Sequence, residues 1–434
     1  MDKMADVLGR AGAWCGQNKY LSAIKNAFQN FMPLTIAGAI GVLWCNVLVN
    51  DQTGLGLFFK PIMALDFLNP AFQAVNFCTI SCITVGITLG IAQEIGVWNM
   101  GAERAGYIPG LVGLAAWLSV TNTSHMVDGA KEAFTGVAGN ELGATGLFTG
   151  MIIGVLSVEL FCFFEKQDAL KIKMPEQVPP GVARAFEVLV PATITLIITA
   201  CIGSACYNLT GLYLNDVIKN GVQGPLGAVG ATVPGVMIIY LVIMLFWLVG
   251  IHGNNMLSAV KEALFTPLAL ENVEAFNKGE TPKNIINMYA LQMWGEFGGS
   301  GVTIGLVIAI MIFGKREDNK AIATLSLVPG LFNINETVTF GIPMVLNPIL
   351  GIPFVVAPLV TIIIGYVLTV IGFCPVACLT VPWTCPPIVF GFLACGANVM
   401  GAVTQAILIV VSTVIYVPFL ISYEKYQNKQ AAEA

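Results

Sequence analysis

Residues 355–373 read VVAPLVTIIIGYVLTVIGF, an apolar run without a single charged side chain. A helix needs roughly 17–25 such residues to cross the hydrocarbon of a bilayer. Similar runs occur at Gly146–Phe164, Ala192–Cys206, Val233–Gly250 and Ala402–Ile421, each of spanning length alone or with its flanks. Working outward, 56% of the 434 residues are hydrophobic and 10% are charged. A soluble domain carries about 25% charged residues, so this chain lacks the means to clothe a water-facing surface. The composition predicts an all-α integral membrane protein, with lipid as an obligatory partner. Its 46 glycines and 22 prolines would argue against helices in water but are tolerated in membranes.

The same counts exclude other classes. A net charge of −5 with no basic block gives no footing for nucleic acid. The first 25 residues are too polar for the apolar centre of a signal peptide. Eleven cysteines are scattered through apolar stretches, and the tightest group, Cys374, Cys378, Cys385 and Cys395, lacks CxxC spacing. They read as packing residues; no metal or cofactor is expected.

Cations set the expected orientation. Lys3, Arg10, Lys19 and Lys25 precede the first span; Lys166, Lys171, Lys173 and Arg184 follow Phe164; Lys425 and Lys429 lie in the tail. Lys261, Lys278 and Lys283 are spread through the stretch after Gly250, and Lys315, Arg316 and Lys320 form another cluster. The positive-inside rule puts both termini and the 165–185 segment in the cytoplasm, which requires an even number of spans, about ten, some of them broken.

Five spans are expected in the first half, at 27–49, 74–97, 105–121, 144–164 and 188–209. Residues 122–143, with Asp128, Lys131 and Glu141, read as an external loop. Near 176–190, Val182, Phe186 and Leu189 or Val190 share a helical face while Arg184 and Glu187 face away, which suits a short amphipathic helix on the interface or an ordinary linker. The chain is thus divided into a scaffold half, 1–185 plus 186–225, and a transport half, 226–434. In the latter, spans at 228–250, 298–314, 352–373 and 400–421 are separated by irregular stretches. Residues 321–350 are broken by Pro329, Gly330, Asn333, Asn335, Glu336, Gly341 and Pro343, and Pro375–Pro387 is again irregular. Such backbone is tolerated at membrane depth only where it is buried in protein or lines a wet cavity, the pattern of a substrate site built from discontinuous helices.

Three residues carry the expected chemistry. Glu336 sits in a stretch with no Lys or Arg between Lys320 and Lys425; a carboxylate there costs about 2.5–3.5 kcal/mol on insertion scales, so it faces a cavity or serves as a structural turn carboxylate. Asn333 and Asn335 form turns and their amides suit a ligand rich in hydroxyls. His252 closes the apolar run that contains Trp247 and is followed by Asn254; it reads either as a helix cap or as a proton acceptor near neutral pH. Trp383, on a proline-stiffened loop with Thr384, is either an interfacial anchor or a platform for a sugar ring. Glu296, after Trp294, is expected near an interface, and the Gly298–Gly301 run is read as close helix packing.

Gly250-Ile-His-Gly, Asn333-Ile-Asn-Glu, Phe340-Gly-Ile-Pro and Val381-Pro-Trp-Thr-x-Pro-Pro together resemble the signature segments of membrane (EIIC) components of the bacterial phosphotransferase system, in the lactose/cellobiose/diacetylchitobiose branch. The Met174–Arg184 stretch resembles the family's Met-Pro-x-x-Val-Pro-Pro-x-Val-x-Arg segment, which sits where its cytoplasmic amphipathic helix lies. The resemblance implies ten transmembrane helices with two re-entrant hairpins in the C-terminal half and a homodimer formed through the N-terminal half. It also implies a disaccharide or related glycoside as substrate, phosphorylated on entry by a cytoplasmic EIIB phosphoprotein that carries phosphate on cysteine. By motif, Glu336 and His252 would meet the reacting hydroxyl and Trp383 would stack on a ring. Asn333, Asn335, Asn254, Thr384 and Trp247 would complete the substrate-binding set. Thr337 stands where the family usually has proline, and residues 93–106 lack the lysine-rich loop of relatives, with Arg104 there instead. No EIIB-like domain is recognised in the chain, so a separate donor polypeptide is expected. From the residues alone, a proton-coupled secondary transporter that releases unmodified solute, or a membrane sensor without transport, satisfies the same pattern.

Overall fold

A computed structural model describes residues 10, 13–14, 17–51, 55–125, 134–175, 177–225, 230–342, 344 and 347–433. Asp128, Lys131, Lys3 and Pro343 lie outside these residues. The chain separates into two compact units, one of residues 17–41 and 71–227, the other of residues 1–16, 42–70 and 228–434.

The first unit is built on α1 (Lys19–Leu43), α2 (Asn69–Cys78), α3 (Ile83–Met100), α4 (Ile108–Val120), α5 (Ala144–Glu165) and α6 (Pro180–Thr210). Helices α3, α4 and α5 pack on one another, and α6 lies against α4 and α5. Lipid tails are as apolar as leucine, so helices meet through small residues that let backbones approach. Gly150 faces Thr84 and Thr88, Gly113 faces Ala92, and Gly96 faces Pro109, each leaving no space for a Cβ. Trp117, Ala116, Val120 and Ile153 form the dry centre of this packing. Between α4 and α5, Ser124–His125 and Phe134–Thr135 pair as a short antiparallel ribbon, a local element the polarity of the loop did not announce.

The segment near 176–190 is not a separate helix. Residues 180–190 are the first turns of the 31-residue α6, which continues to Thr210 past Pro191. Proline inside a helix removes one backbone hydrogen bond, and Thr195 Oγ1 donates back to Pro191 O at 2.8 Å here. The two expected faces do exist. Val182, Phe186 and Leu189 are exposed, whereas Arg184 and Glu187 turn inward to an ion cluster. In it, Glu165 Oε1 lies 2.8 Å from Arg104 Nη2 and 3.0 Å from Arg184 Nη1, and Glu187 pairs with both arginines.

The second unit holds α7 (Val233–Leu248), α8 (Gly253–Asn277), α9 (Met288–Gly295), α10 (Ile304–Phe313), α11 (Glu317–Leu331), α12 (Glu336–Gly341), α13 (Gly351–Val370), α14 (Val389–Ala394) and α15 (Val399–Glu433). Helix α15 packs along α10 and α13, and α7 lies against α8 and α13. Starts are capped where the sequence offers a side-chain acceptor: Thr232 Oγ1 for α7, His252 Nδ1 for α8 and Asn287 Oδ1 for α9. Helix α8 was hidden in the sequence because Lys261, Glu262, Glu271 and Glu274 dilute its apolar face. At the far end, the Glu424 carboxylate of α15 accepts from the backbone N–H groups of Lys315 and Arg316 at 2.9 and 3.3 Å, fixing the turn into α11.

Among the described residues, six helical stretches are long and apolar enough to cross a membrane: Lys19–Leu48, Lys60–Met100, Ala144–Glu165, Pro180–Thr210, Gly351–Val370 and Val399–Glu433. Met288–Val302 and Ile304–Phe313, bent by 60°, make a seventh if taken as one span, and Ile108–Val120 and Val233–Leu248 are shorter apolar helices. The protein is an all-α, multi-spanning membrane protein.

Candidate functional site

The site grows from breaks in the second unit. After α9 the chain runs through Gly298, Gly299 and Gly301, all in the left-handed region with φ of 69°, 86° and 76°. Only glycine adopts that backbone without cost, so this run is a turn that separates α9 from α10, and it also packs closely, with no room for a Cβ at Gly301 beside Phe354 of α13. Its groups are read by side chains from elsewhere: Thr303 Oγ1 donates to Gly298 O, Tyr416 OH to Gly301 O, and Asn335 Nδ2 to Ser300 O, each at 2.7 Å.

His252 sits between α7 and α8. Its Nδ1 accepts from Asn255 N at 3.2 Å, so in the neutral ring the proton is on Nε2. Nε2 faces Glu336 Oε1 across 3.9 Å, with both side chains partly exposed. That separation is too long for a hydrogen bond. A hydroxyl oxygen placed about 2.8 Å from each atom fits the gap, accepting from Nε2–H and donating to the carboxylate. The Trp247 ring backs the imidazole with centroids 4.4 Å apart and meets Phe354 edge-on at 6.3 Å. Trp247 is 2% exposed, so it supports the histidine from behind.

The expected hydroxyl-binding amides are engaged with the protein. Asn333, itself at φ 63°, accepts from Gly298 N at 2.6 Å and donates to Trp383 O and to Cys385 O, the latter at 3.2 Å. Asn335 is buried beside Ser300. Asn254 Nδ2 donates to Ser300 Oγ at 2.9 Å, and Asn254 Oδ1 accepts from Lys261 Nζ at 3.4 Å. Trp383 is 44% exposed on a loop held from several sides. Asn272 and Asn287 donate to Ala377 O at 3.0 and 3.1 Å, Tyr289 OH meets Thr380 Oγ1 at 2.7 Å, and Gln405 Oε1 accepts from Ile388 N at 2.8 Å. Thr384 follows on the same loop, half-buried.

Sequence reasoning did not bring Lys261 and Glu296 together. Lys261, a buried residue of α8, and Glu296 form an ion pair, joined by Tyr240 OH donating to Glu296 Oε1 at 2.7 Å. One signal was available. Asn254 and Lys261, seven apart, share a helical face, so reading 253–277 as a helix would have put the lysine beside the asparagine.

A many-helix membrane protein with a histidine, a carboxylate and an exposed indole gathered on broken helices is a membrane permease for a polar, hydroxyl-bearing solute. The sequence profile of the phosphotransferase system EIIC family matches residues 25–358, and the chain belongs to that family, as a permease component of a sugar phosphotransferase system. It is 32% identical over 429 residues to the oligo-beta-mannoside-specific EIIC component of Bacillus subtilis, covering 98% of this chain and 94% of that protein. It is 30% identical over 486 residues to the cellobiose-specific EIIC component of Lactococcus lactis, covering 98% of each. The crystal structure of the transporter ChbC, the IIC component from the N,N'-diacetylchitobiose-specific phosphotransferase system, superposes with a TM-score of 0.88 at 30% identity, over 97% of both chains.

Proposed function

We propose that this chain binds a cellobiose- or diacetylchitobiose-like disaccharide and passes it across the membrane with coupled phosphorylation by a separate cytoplasmic EIIB phosphoprotein. The observation that carries the reading is the facing pair His252 Nε2 and Glu336 Oε1, 3.9 Å apart and open to solvent. One sugar hydroxyl between them is oriented by both. In that arrangement Nε2–H orients the oxygen and the Glu336 carboxylate takes the hydroxyl proton as the oxygen attacks phosphorus. The new O–P bond replaces the S–P bond of the partner's phosphocysteine, whose thiolate leaves. Trp383 offers its exposed indole to the apolar face of a ring, with Thr384 beside it, while Trp247, Asn254 and Asn335 hold the contacting residues from behind.

The remaining assignments belong to the same reading. Ten spans with two re-entrant hairpins, a scaffold and dimerisation half over 1–185 plus 186–225 and a transport half over 226–434 rest on the motif resemblance, and the cytoplasmic termini on the placement of the cations. The test is reconstitution in proteoliposomes with phosphorylated EIIB and labelled disaccharide. Phosphorylated sugar should appear in the compartment that holds EIIB. Unphosphorylated sugar accumulating in a manner abolished by a proton uncoupler would replace this reading with proton-coupled transport.

A further inference from the structure

We infer that Asn333 is a positioning residue that sets the register between the Trp383 platform and Glu336, and that it does not serve as a sugar ligand. The inference rests on the reading of Trp383 and Glu336 given above. Three segments that are far apart in sequence meet at this one side chain: the glycine turn after α9, the stretch leading into α12, and the loop that carries Trp383. Its Oδ1 accepts from Gly298 N at 2.6 Å, and its Nδ2 donates to the carbonyls of Trp383 and Cys385.

The orientation of the amide is dictated by those partners. Turned over, its NH2 would face the Gly298 N–H and its oxygen would face two carbonyls, so every contact would become repulsive. As placed, both N–H donors are consumed by backbone oxygens, and none is left for a ligand hydroxyl. The backbone agrees, because φ of 63° is a conformation that asparagine tolerates better than other side-chain-bearing residues. Glu336 follows three residues later. Asn335 between them is tied to the same turn through Ser300 O, so the glycine turn fixes both ends of the Asn333–Glu336 stretch. A shift of the Trp383 loop relative to the carboxylate therefore requires breaking the Asn333 amide contacts.

Two variants separate register from fold. Asn333→Asp keeps the acceptor for Gly298 N but sets a carboxylate against two carbonyls. Asn333→Gly keeps the left-handed backbone at no conformational cost and removes the amide. Each is measured for disaccharide affinity in detergent by calorimetry, alone and combined with Trp383→Ala, with thermal melting as the control for folding. Expected are affinities weakened about 10-fold or more for Trp383→Ala and for each Asn333 variant, in line with the loss of one or two net hydrogen bonds. The double variants should bind no more weakly than Trp383→Ala alone. If Trp383→Ala binds like the parent, the platform reading fails and this inference with it. If Trp383→Ala weakens binding while the Asn333 variants bind normally, or the losses add, only the register role is overturned. Absence of folded protein for both Asn333 variants overturns it too, since Asn333 would then serve the fold and not the site.

Discussion

Lys261 and Glu296 form an ion pair within the second unit, the lysine from α8 and the glutamate from the residue that closes α9, with side-chain exposures of 7% and 17%. Tyr240 OH donates to the same carboxylate oxygen, and Lys261 Nζ reaches on to Asn254 Oδ1. From there the polar chain continues through Ser300 to Asn335, next to Glu336. The pair thus stands behind the site and ties three of its segments together.

Removing one member of a buried pair strands the other charge, at about 3–5 kcal/mol, whereas replacing both with well-packed neutral groups is often neutral. Lys261→Met and Glu296→Gln should therefore each lower the melting temperature in detergent, and the double variant should recover much of it. Sugar phosphorylation should remain impaired in the double variant, because Asn254 has lost the donor that orients it. Additive loss of stability in the double variant would show that the two charges do not support each other.

The glycine turn gives an internally controlled test. Gly299 and Gly101 share a backbone that essentially only glycine adopts, with φ/ψ of 86°/−174° and 82°/151°, so alanine costs about 1–3 kcal/mol of backbone strain at either. A Cβ at Gly101 meets nothing within 4 Å, whereas at Gly299 it would lie 2.6 Å from Asn335 Cγ. Gly299→Ala should push Asn335, and Glu336 with it, out of place and cut phosphorylation on the order of 10-fold or more, as misplacement of a reacting group does. Gly101→Ala should leave turnover near the parent value. Equal effects on phosphorylation would show that strain alone, and not the Asn335 contact, is responsible.

Much of this was legible beforehand because hydrocarbon imposes a simple rule. Runs such as Gly146–Phe164 and Val355–Phe373 have no alternative to helices, and they fall within α5 and across α13. His252 and Glu336 stood out for the same reason, as polar groups in an apolar neighbourhood. The Lys261–Glu296 pair escaped because nothing in the sequence joins the two residues until α8 brings them together. The amphipathic pattern at 180–190, read as a short interfacial helix or an ordinary linker, is the first part of α6, which runs on past Pro191. The glycine run illustrates a different limit: composition cannot tell a glycine kept for its small size from one kept for its positive φ.

The ion cluster of the first unit predicts a graded response. Glu165, 3% exposed, is shared by Arg104 and Arg184, while Glu187 is 30% exposed. Loss of the buried carboxylate leaves Arg184 short of an anion at a site where burial withholds water, whereas the more exposed pairing is partly compensated by solvent. Glu165→Gln should therefore lower the melting temperature more than Glu187→Gln, and hydrogen exchange should quicken first in residues 180–190. Equal destabilisation by the two variants would mean that burial does not set the strength of this cluster.

The decisive variant for the chemistry is Glu336→Gln. The amide keeps the shape of the carboxylate and can still accept a hydrogen bond from a sugar hydroxyl, but it cannot take the proton. Disaccharide affinity should change by no more than about threefold, the worth of part of one hydrogen bond. Phosphorylation by EIIB should fall on the order of 10²–10⁴-fold, the usual contribution of a positioned general base. His252 separates the two ways of sharing the task. If the carboxylate is the proton acceptor, His252→Gln retains more turnover than Glu336→Gln, because Nε2–H only orients the hydroxyl. The opposite ranking would assign the proton to the imidazole. Turnover unchanged in Glu336→Gln would make the carboxylate a structural group of the α12 start, and the facing pair would no longer carry the proposed reaction.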